Sequence, residues 1–152
     1  MNVIFVCTGN TCRSPMAEGF FKSFCSRSND ITVCSRGIAV VEGASASRFS
    51  VQASAELGSD ISSHISRQLT ESDVRGSDFI FTMTASHAAV IRATFPDCAD
   101  KVYSIGEYIS SDDIADPYGG DICVYRSCAE QIFEAVKKIY HKITVQSNES
   151  SF

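Results

Sequence analysis

The sequence predicts a single-domain, doubly wound α/β sheet with mostly parallel strands and helices on both faces. Three observations carry that expectation. Four short apolar runs, at residues 3–6, 31–34, 78–83 and 101–105, have the length and bounding turn signals of buried strands. Helix-period patterns lie between them, and strands alternating with helices are the mark of a parallel sheet covered on both sides. The chain has 152 residues, 44% of them hydrophobic, which suits one domain with a proper core.

The first strand, Val3-Ile4-Phe5-Val6, stops at Cys7. A polar loop follows, and Pro15 fits the first turn of a helix, where a missing N–H costs nothing. That helix continues through Met16, Ala17, Phe20, Phe21 and Phe24. Asn29-Asp30 marks a turn, and Ile31 to Cys34 reads as the second strand, ended by Ser35-Arg36-Gly37. In the serine-rich stretch 44–66, Val51, Ala53, Ala55 and Leu57 indicate a short helix closed by Gly58. Thr70 followed by Asp73 fits a helix start. The third strand covers residues 78–83, and a helix from about Ala85 turns Ala88, Ile91 and Phe95 toward the sheet until Pro96-Asp97 ends it. The fourth strand is residues 101–105. The last helix, residues 121–143, carries one apolar stripe of Tyr125, Cys128, Ile132, Val136 and Ile139. The domain is therefore expected to span residues 1–143, with 144–152 as a polar, frayed tail.

The chemistry concentrates at Cys7-Thr8-Gly9-Asn10-Thr11-Cys12-Arg13-Ser14. A tight loop leading into a helix N-terminus presents backbone N–H groups to an anion. Gly9 and Asn10 are residue types that tolerate the left-handed backbone such a cradle needs. Arg13 offers a planar fork of donors matched to phosphate oxygens, and Ser14 can donate to a thiolate. Thiols at helix N-termini or beside cations ionise more readily than free ones, so Cys7 is the expected nucleophile beneath a phosphate-sized hole. Cys7 and Cys12 flank one tight loop, and mild peroxide is expected to join them reversibly.

This stretch resembles the low-molecular-weight protein tyrosine phosphatase family, whose signature is Cys-x-Gly-Asn-x-Cys-Arg-Ser near the N-terminus. The resemblance implies four strands in a flavodoxin-like order. It extends to Asp116-Pro117-Tyr118, where the family carries Asp-Pro-Tyr; the following Gly119-Gly120 is typical of bacterial-type members. By that resemblance Asp116 is the general acid and Tyr118 helps wall the pocket, with Thr8, Gly9, Asn10, Thr11, Cys12 and Ser14 as substrate-binding residues. Ala39, Val40 and Val41 are candidates for one pocket wall, with ordinary packing an equal alternative. Many tyrosine-directed members place a large aromatic there, whereas this chain has no Trp and its nearest aromatic is Phe49. His64 reads as structural or exposed, and His87 as a candidate pocket neighbour, with a solvated surface histidine the preferred reading.

The implied reaction is two-step phosphoryl transfer through a cysteinyl-phosphate, without metal or cofactor, because Arg13 and the loop amides supply the positive field. Substrates are phosphorylated proteins, and inorganic phosphate or vanadate should occupy the same site. The position of Thr11 commonly holds a larger aliphatic residue in tyrosine-directed members. With Thr11, the string looks like the protein arginine phosphatase branch, since a hydroxyl can bond a guanidinium where an aliphatic side chain packs on a phenyl ring. Phosphoarginine is thus preferred to phosphotyrosine. Arsenate reductase is less favoured because Asp116 is present and Cys98 alone makes no thiol relay. A silent phosphoprotein-binding module is less favoured because nucleophile and acid are both retained.

Composition excludes other classes. A net charge of −5 argues against a general nucleic-acid binder, and no apolar run reaches the length of a membrane span. The N-terminus reads as a core strand rather than a signal peptide. Seven cysteines with no Cys-x-x-Cys pair argue against zinc or a disulfide scaffold and suit reduced thiols in the cytoplasm. Asp112, Asp113 and Asp116 lack the spacing of a calcium loop.

Overall fold

The computed structural model describes residues 1–25 and 30–151. Asn29 of the expected Asn29-Asp30 turn lies outside the described residues, as does Phe152. Four strands, β1 (Asn2–Cys7), β2 (Thr32–Gly37), β3 (Phe79–Thr82) and β4 (Val102–Ser104), form one sheet in the order β2-β1-β3-β4. Every pairing is parallel, with Val3 opposite Val33 on one side and Phe79 on the other. This is the flavodoxin-like order that the sequence resemblance implied.

The alternation along β1 divides the interior. Val3, Phe5 and Cys7 turn toward one core, and Ile4 and Val6 toward the other. The first core is filled by α1 (Arg13–Phe24) and α6 (Ile122–Glu149), including Phe20, Phe21, Ile132 and Ile139. Phe20 meets Phe133 edge-on at 5.3 Å between ring centroids, and Phe21 meets Tyr140 at 5.6 Å. The second core lies under α3 (Glu71–Gly76) and α4 (Ala85–Thr94), which contribute Val74, Ala88 and Ile91.

Several boundaries differ from the sequence expectation for identifiable reasons. β2 does not end at Ser35 but runs on to Gly37, because Ser35, Arg36 and Gly37 pair with Phe5, Val6 and Cys7. At Gly37 a Cβ would stand 2.3 Å from Val40 and 2.7 Å from the carbonyl oxygen of Thr8, so only glycine allows the chain to pass that close to the loop. The short helix in the serine-rich stretch is α2 (Arg48–Glu56), capped by Ser47 and followed by Gly58 at φ +85°. Thr70 and Asp73 form a full capping box on α3. After β4 comes an unexpected short helix, α5 (Ile105–Ile109), which starts from a second capping box of Ser104 and Glu107. Finally, α6 continues past the Ile143 boundary to Glu149, so most of the segment expected as a frayed tail is helical.

Candidate active site

β1 delivers Cys7 to the carboxyl end of the sheet, between β2 and β3, where ligands of open α/β sheets bind. Cys7 is 3% exposed, and Ser14 Oγ lies 2.9 Å from its Sγ. Asn10 makes the loop possible. It takes φ +57°, and it is wholly buried. Its side-chain amide donates to Ser14 Oγ at 2.8 Å and to Ser35 Oγ at 3.0 Å, while its Oδ1 accepts from the Arg67 amide at 3.0 Å. Its carbonyl accepts from Ser66 Oγ at 2.7 Å and His64 Nε2 at 2.8 Å. A left-handed asparagine is thus held by five bonds to three other segments. Gly9, expected to share the left-handed geometry, does not adopt it.

That bracing leaves the loop amides unpaired. None of the backbone N–H groups of residues 9–13 donates to a protein acceptor among the described residues, and the α1 N-cap, Cys12, makes no side-chain capping bond. Unpaired amides at a helix N-terminus are the kind of geometry that suits an anion. Arg13, 4% exposed, completes it. Its Nη1 donates to the Ile114 carbonyl at 2.9 Å, and its Nη2 stands 3.7 Å from Asp116 Oδ2. Ile114 in turn is tied to the end of β3 through its amide and the Met83 carbonyl, 2.9 Å. So the guanidinium that faces the cradle also fixes the loop that carries Asp116.

These groups surround a cleft of about 230 Å³ lined by Cys7, Thr8, Gly9, Thr11, Cys12, Arg13, Asp116 and Tyr118. Of the residues expected to catalyse or bind substrate, Asn10 and Ser14 stand behind this lining, where they support it. Asp116 keeps 54% of its side chain in solvent, and its Oδ1 accepts from the Tyr118 amide at 3.1 Å. Tyr118 is 84% exposed at the rim. Among the described residues Thr11 Oγ1 has only a long contact to Cys12 Sγ, 3.7 Å, which leaves the hydroxyl available to a ligand. Cys12 itself sits 3.5 Å from the hydroxyls of Ser47 and Tyr125. All seven cysteines are free, and burial pushes the Cys128 thiol up to about 12.

Other expectations resolve differently. Ala39, Val40 and Val41 do not line the cleft: the Ala39 amide bonds the Thr8 carbonyl at 3.0 Å, and Val41 is 80% exposed. Phe49 packs edge-on to Tyr125 in the interior. His64 is structural, wedged between Asn10 and Glu18. His87 is half-buried and is the pocket neighbour rather than the fully solvated residue: its Nε2 shares a 2.9 Å hydrogen bond with Thr8 Oγ1. Sequence reasoning also missed Glu18, Ser35 and Ser66, whose polar side chains close the network behind the loop. A larger cavity of about 460 Å³ opens on the far side of that network, between α1 and β2.

The model of the family described as low molecular weight phosphotyrosine protein phosphatase matches residues 2–149. The chain belongs to that family. Within it, the chain is 37% identical over 142 residues to a Bacillus subtilis protein named protein-arginine-phosphatase, covering 91% of this chain and 94% of that one. It is 36% identical over 140 residues to the low molecular weight protein-tyrosine-phosphatase PtpB of Staphylococcus haemolyticus, covering 91% and 97%. Its fold superposes on the YwlE arginine phosphatase of Geobacillus stearothermophilus with a TM-score of 0.91 at 32% identity, covering 97% of this chain and 96% of that one. Among the described residues, no cluster of three or more His, Cys, Asp or Glu is placed to hold a metal ion, and no helix is long and apolar enough to cross a membrane.

Proposed function

We propose that this chain is a cysteine-dependent protein phosphatase acting in the cytoplasm, with phosphoarginine as its preferred substrate. The observation that carries the reading is one cleft whose lining brings together a buried thiol, a loop with unpaired amides, a buried arginine and an exposed carboxylate. The phosphoryl group sits on the amides of residues 9–13 and the Arg13 fork, which stabilise its equatorial oxygens as charge spreads over them. Cys7 thiolate attacks phosphorus in line and forms the S–P bond. The bond from phosphorus to the leaving atom breaks, and Asp116 gives its proton to that atom. Asp116, now a carboxylate, takes a proton from water as the water attacks phosphorus. The S–P bond then breaks, phosphate leaves, and the thiolate is restored.

Phosphoarginine is favoured by Thr11. A hydroxyl in the cleft wall with no strong partner of its own suits a guanidinium, which needs acceptors around its N–H groups. The relatives named arginine phosphatases point the same way. Phosphotyrosine is the second reading, favoured by the PtpB relative and by the ring of Tyr118 at the rim. Matched phosphoarginine and phosphotyrosine peptides assayed side by side decide between them. A higher kcat/KM on phosphoarginine is expected; a preference for phosphotyrosine overturns the arginine assignment, and inertness toward both overturns the phosphatase reading.

A further inference from the structure

The two loops that meet at the cleft share one support outside it. The acid loop, residues 110–120, reaches α4 through Asp113, whose Oδ1 accepts from the Ala85 amide at the start of that helix, 3.0 Å. The phosphate loop reaches the same helix turn through Thr8, whose hydroxyl meets His87 Nε2 at 2.9 Å. The turn itself is fixed: Thr84 caps it by accepting from the His87 amide at 3.2 Å, and the Thr84 carbonyl accepts from Thr82 Oγ1 at 2.7 Å. One helical turn, rooted in β3, therefore holds the residue next to Cys7 with one side chain and the segment before Asp116 with a backbone amide.

We propose that the first turn of α4 is a brace that keeps the acid loop in register with the phosphate loop, with Asp113 and His87 as its two positioning residues. Neither lines the cleft. Asp113 acts on the reach of Asp116, and His87 acts on the placement of Thr8 and so of the cradle. The brace suits a neutral imidazole. Burial and then the Arg13 guanidinium push the His87 pKa down, against the opposing pull of Asp113 and Asp116, and its Nδ1 is buried without a partner among the described residues. The catalytic consequence rests on the phosphatase reading above; the mechanical one does not.

Two readouts separate them. In the first, amide hydrogen exchange is followed across residues 112–118 with no substrate present. Asp113→Ala should speed exchange there, and Asp113→Asn, whose side-chain oxygen can still accept from the Ala85 amide, should restore most of the protection. In the second, turnover is compared on phenyl phosphate and p-nitrophenyl phosphate, whose leaving groups differ in their need for a proton. Asp113→Ala should cost kcat about ten-fold more on phenyl phosphate, because misplacing an acid by an ångström is felt mainly where it must protonate. His87→Ala should instead weaken vanadate binding, with His87→Gln recovering it, since a glutamine amide reaches the position of Nε2. Wild-type protection of residues 112–118 in Asp113→Ala overturns the brace whether or not the protein is a phosphatase. Equal losses on the two substrates in a protein whose wild type is active overturn the role of Asp113 in placing Asp116, and an inert wild type overturns the phosphatase reading alone.

Discussion

Cys7 and Asp116 face the same cleft from opposite kinds of support. The thiol stands at the end of a central strand, over a loop whose asparagine is fully buried and bonded to three segments. The carboxylate stands on a solvent-exposed loop, half in water, held by an Asx-type bond to its own backbone and by the Arg13–Ile114 link. The difference matches the roles proposed for the two groups. A cradle that stabilises charge acts best when its dipoles are fixed before the reaction. An acid that also activates water must be reached by water, and burial would oppose its ionised form.

The largest test of this contrast is at the thiol. Cys7→Ser should lower turnover by at least about 10⁴-fold, as loss of a nucleophile does elsewhere, while vanadate still binds because the cradle is intact. Calorimetric titration beside a turnover assay checks both halves, and substantial residual turnover would remove the covalent step. Asp116→Asn should come next, at roughly 10²–10⁴-fold on phenyl phosphate and much less on p-nitrophenyl phosphate. With so exposed a side chain, its melting temperature should hardly move; a large drop would show that the acid loop is structural after all.

Asn10 sharpens the contrast from the other side. Asn10→Gly keeps the left-handed backbone but removes three hydrogen bonds, to Ser14, to Ser35 and from the Arg67 amide, at about 0.5–1.5 kcal/mol each, because Ser14 keeps Cys7 and Ser35 keeps Glu18 as partners. Asn10→Ala adds about 1–2 kcal/mol for a side chain at φ +57°. Denaturant unfolding should therefore rank wild type above Gly and Gly above Ala, and equal stabilities would mean that the loop tolerates another conformation. The smallest effect is expected at Thr11. Thr11→Ile should shift the ratio of kcat/KM for phosphoarginine over phosphotyrosine toward tyrosine by about ten-fold, the worth of one polar contact. An unchanged ratio would move the origin of specificity away from this residue.

The same contrast explains what could be read from the sequence. Cys7, the loop and Arg13 are contiguous, and a strand running into a helix is a local pattern, so the cradle was legible. Asp116 was legible only through its Asp-Pro-Tyr context, because nothing in the spacing of residues 13 and 116 says they meet. Apart from Ser14, the partners of Asn10 lie 25 to 57 positions away, on β2 and in the 64–67 segment. In the sequence they are unremarkable serines, a histidine and an arginine. Ser35-Arg36-Gly37 reads as a strand ending because it is polar, and it is polar because Ser35 serves both Asn10 and Glu18. The missed α5 did carry a signal, the Ser104-to-Glu107 capping box, hidden by its position directly after a strand. The run of α6 to Glu149 carried none in its hydrophobic pattern, since almost all its residues beyond Ile143 are exposed.

The long-range origin of the Asn10 conformation has a kinetic consequence. The unpaired loop amides cannot take up this arrangement until β2 and the 64–67 segment have docked on β1, so the proposed anion site exists only once the chain is nearly native. Under the proposed function, phosphate should bind the folded protein and not its precursors, adding about 1.4 kcal/mol for every ten-fold excess over its dissociation constant. Because the site is absent from earlier states, that energy should appear as slower unfolding and leave the refolding rate almost untouched. In stopped-flow measurements, millimolar phosphate should shift the unfolding arm of the chevron downward and the refolding arm hardly at all. A cell's phosphate pool would then act as a clamp on the lifetime of the native state.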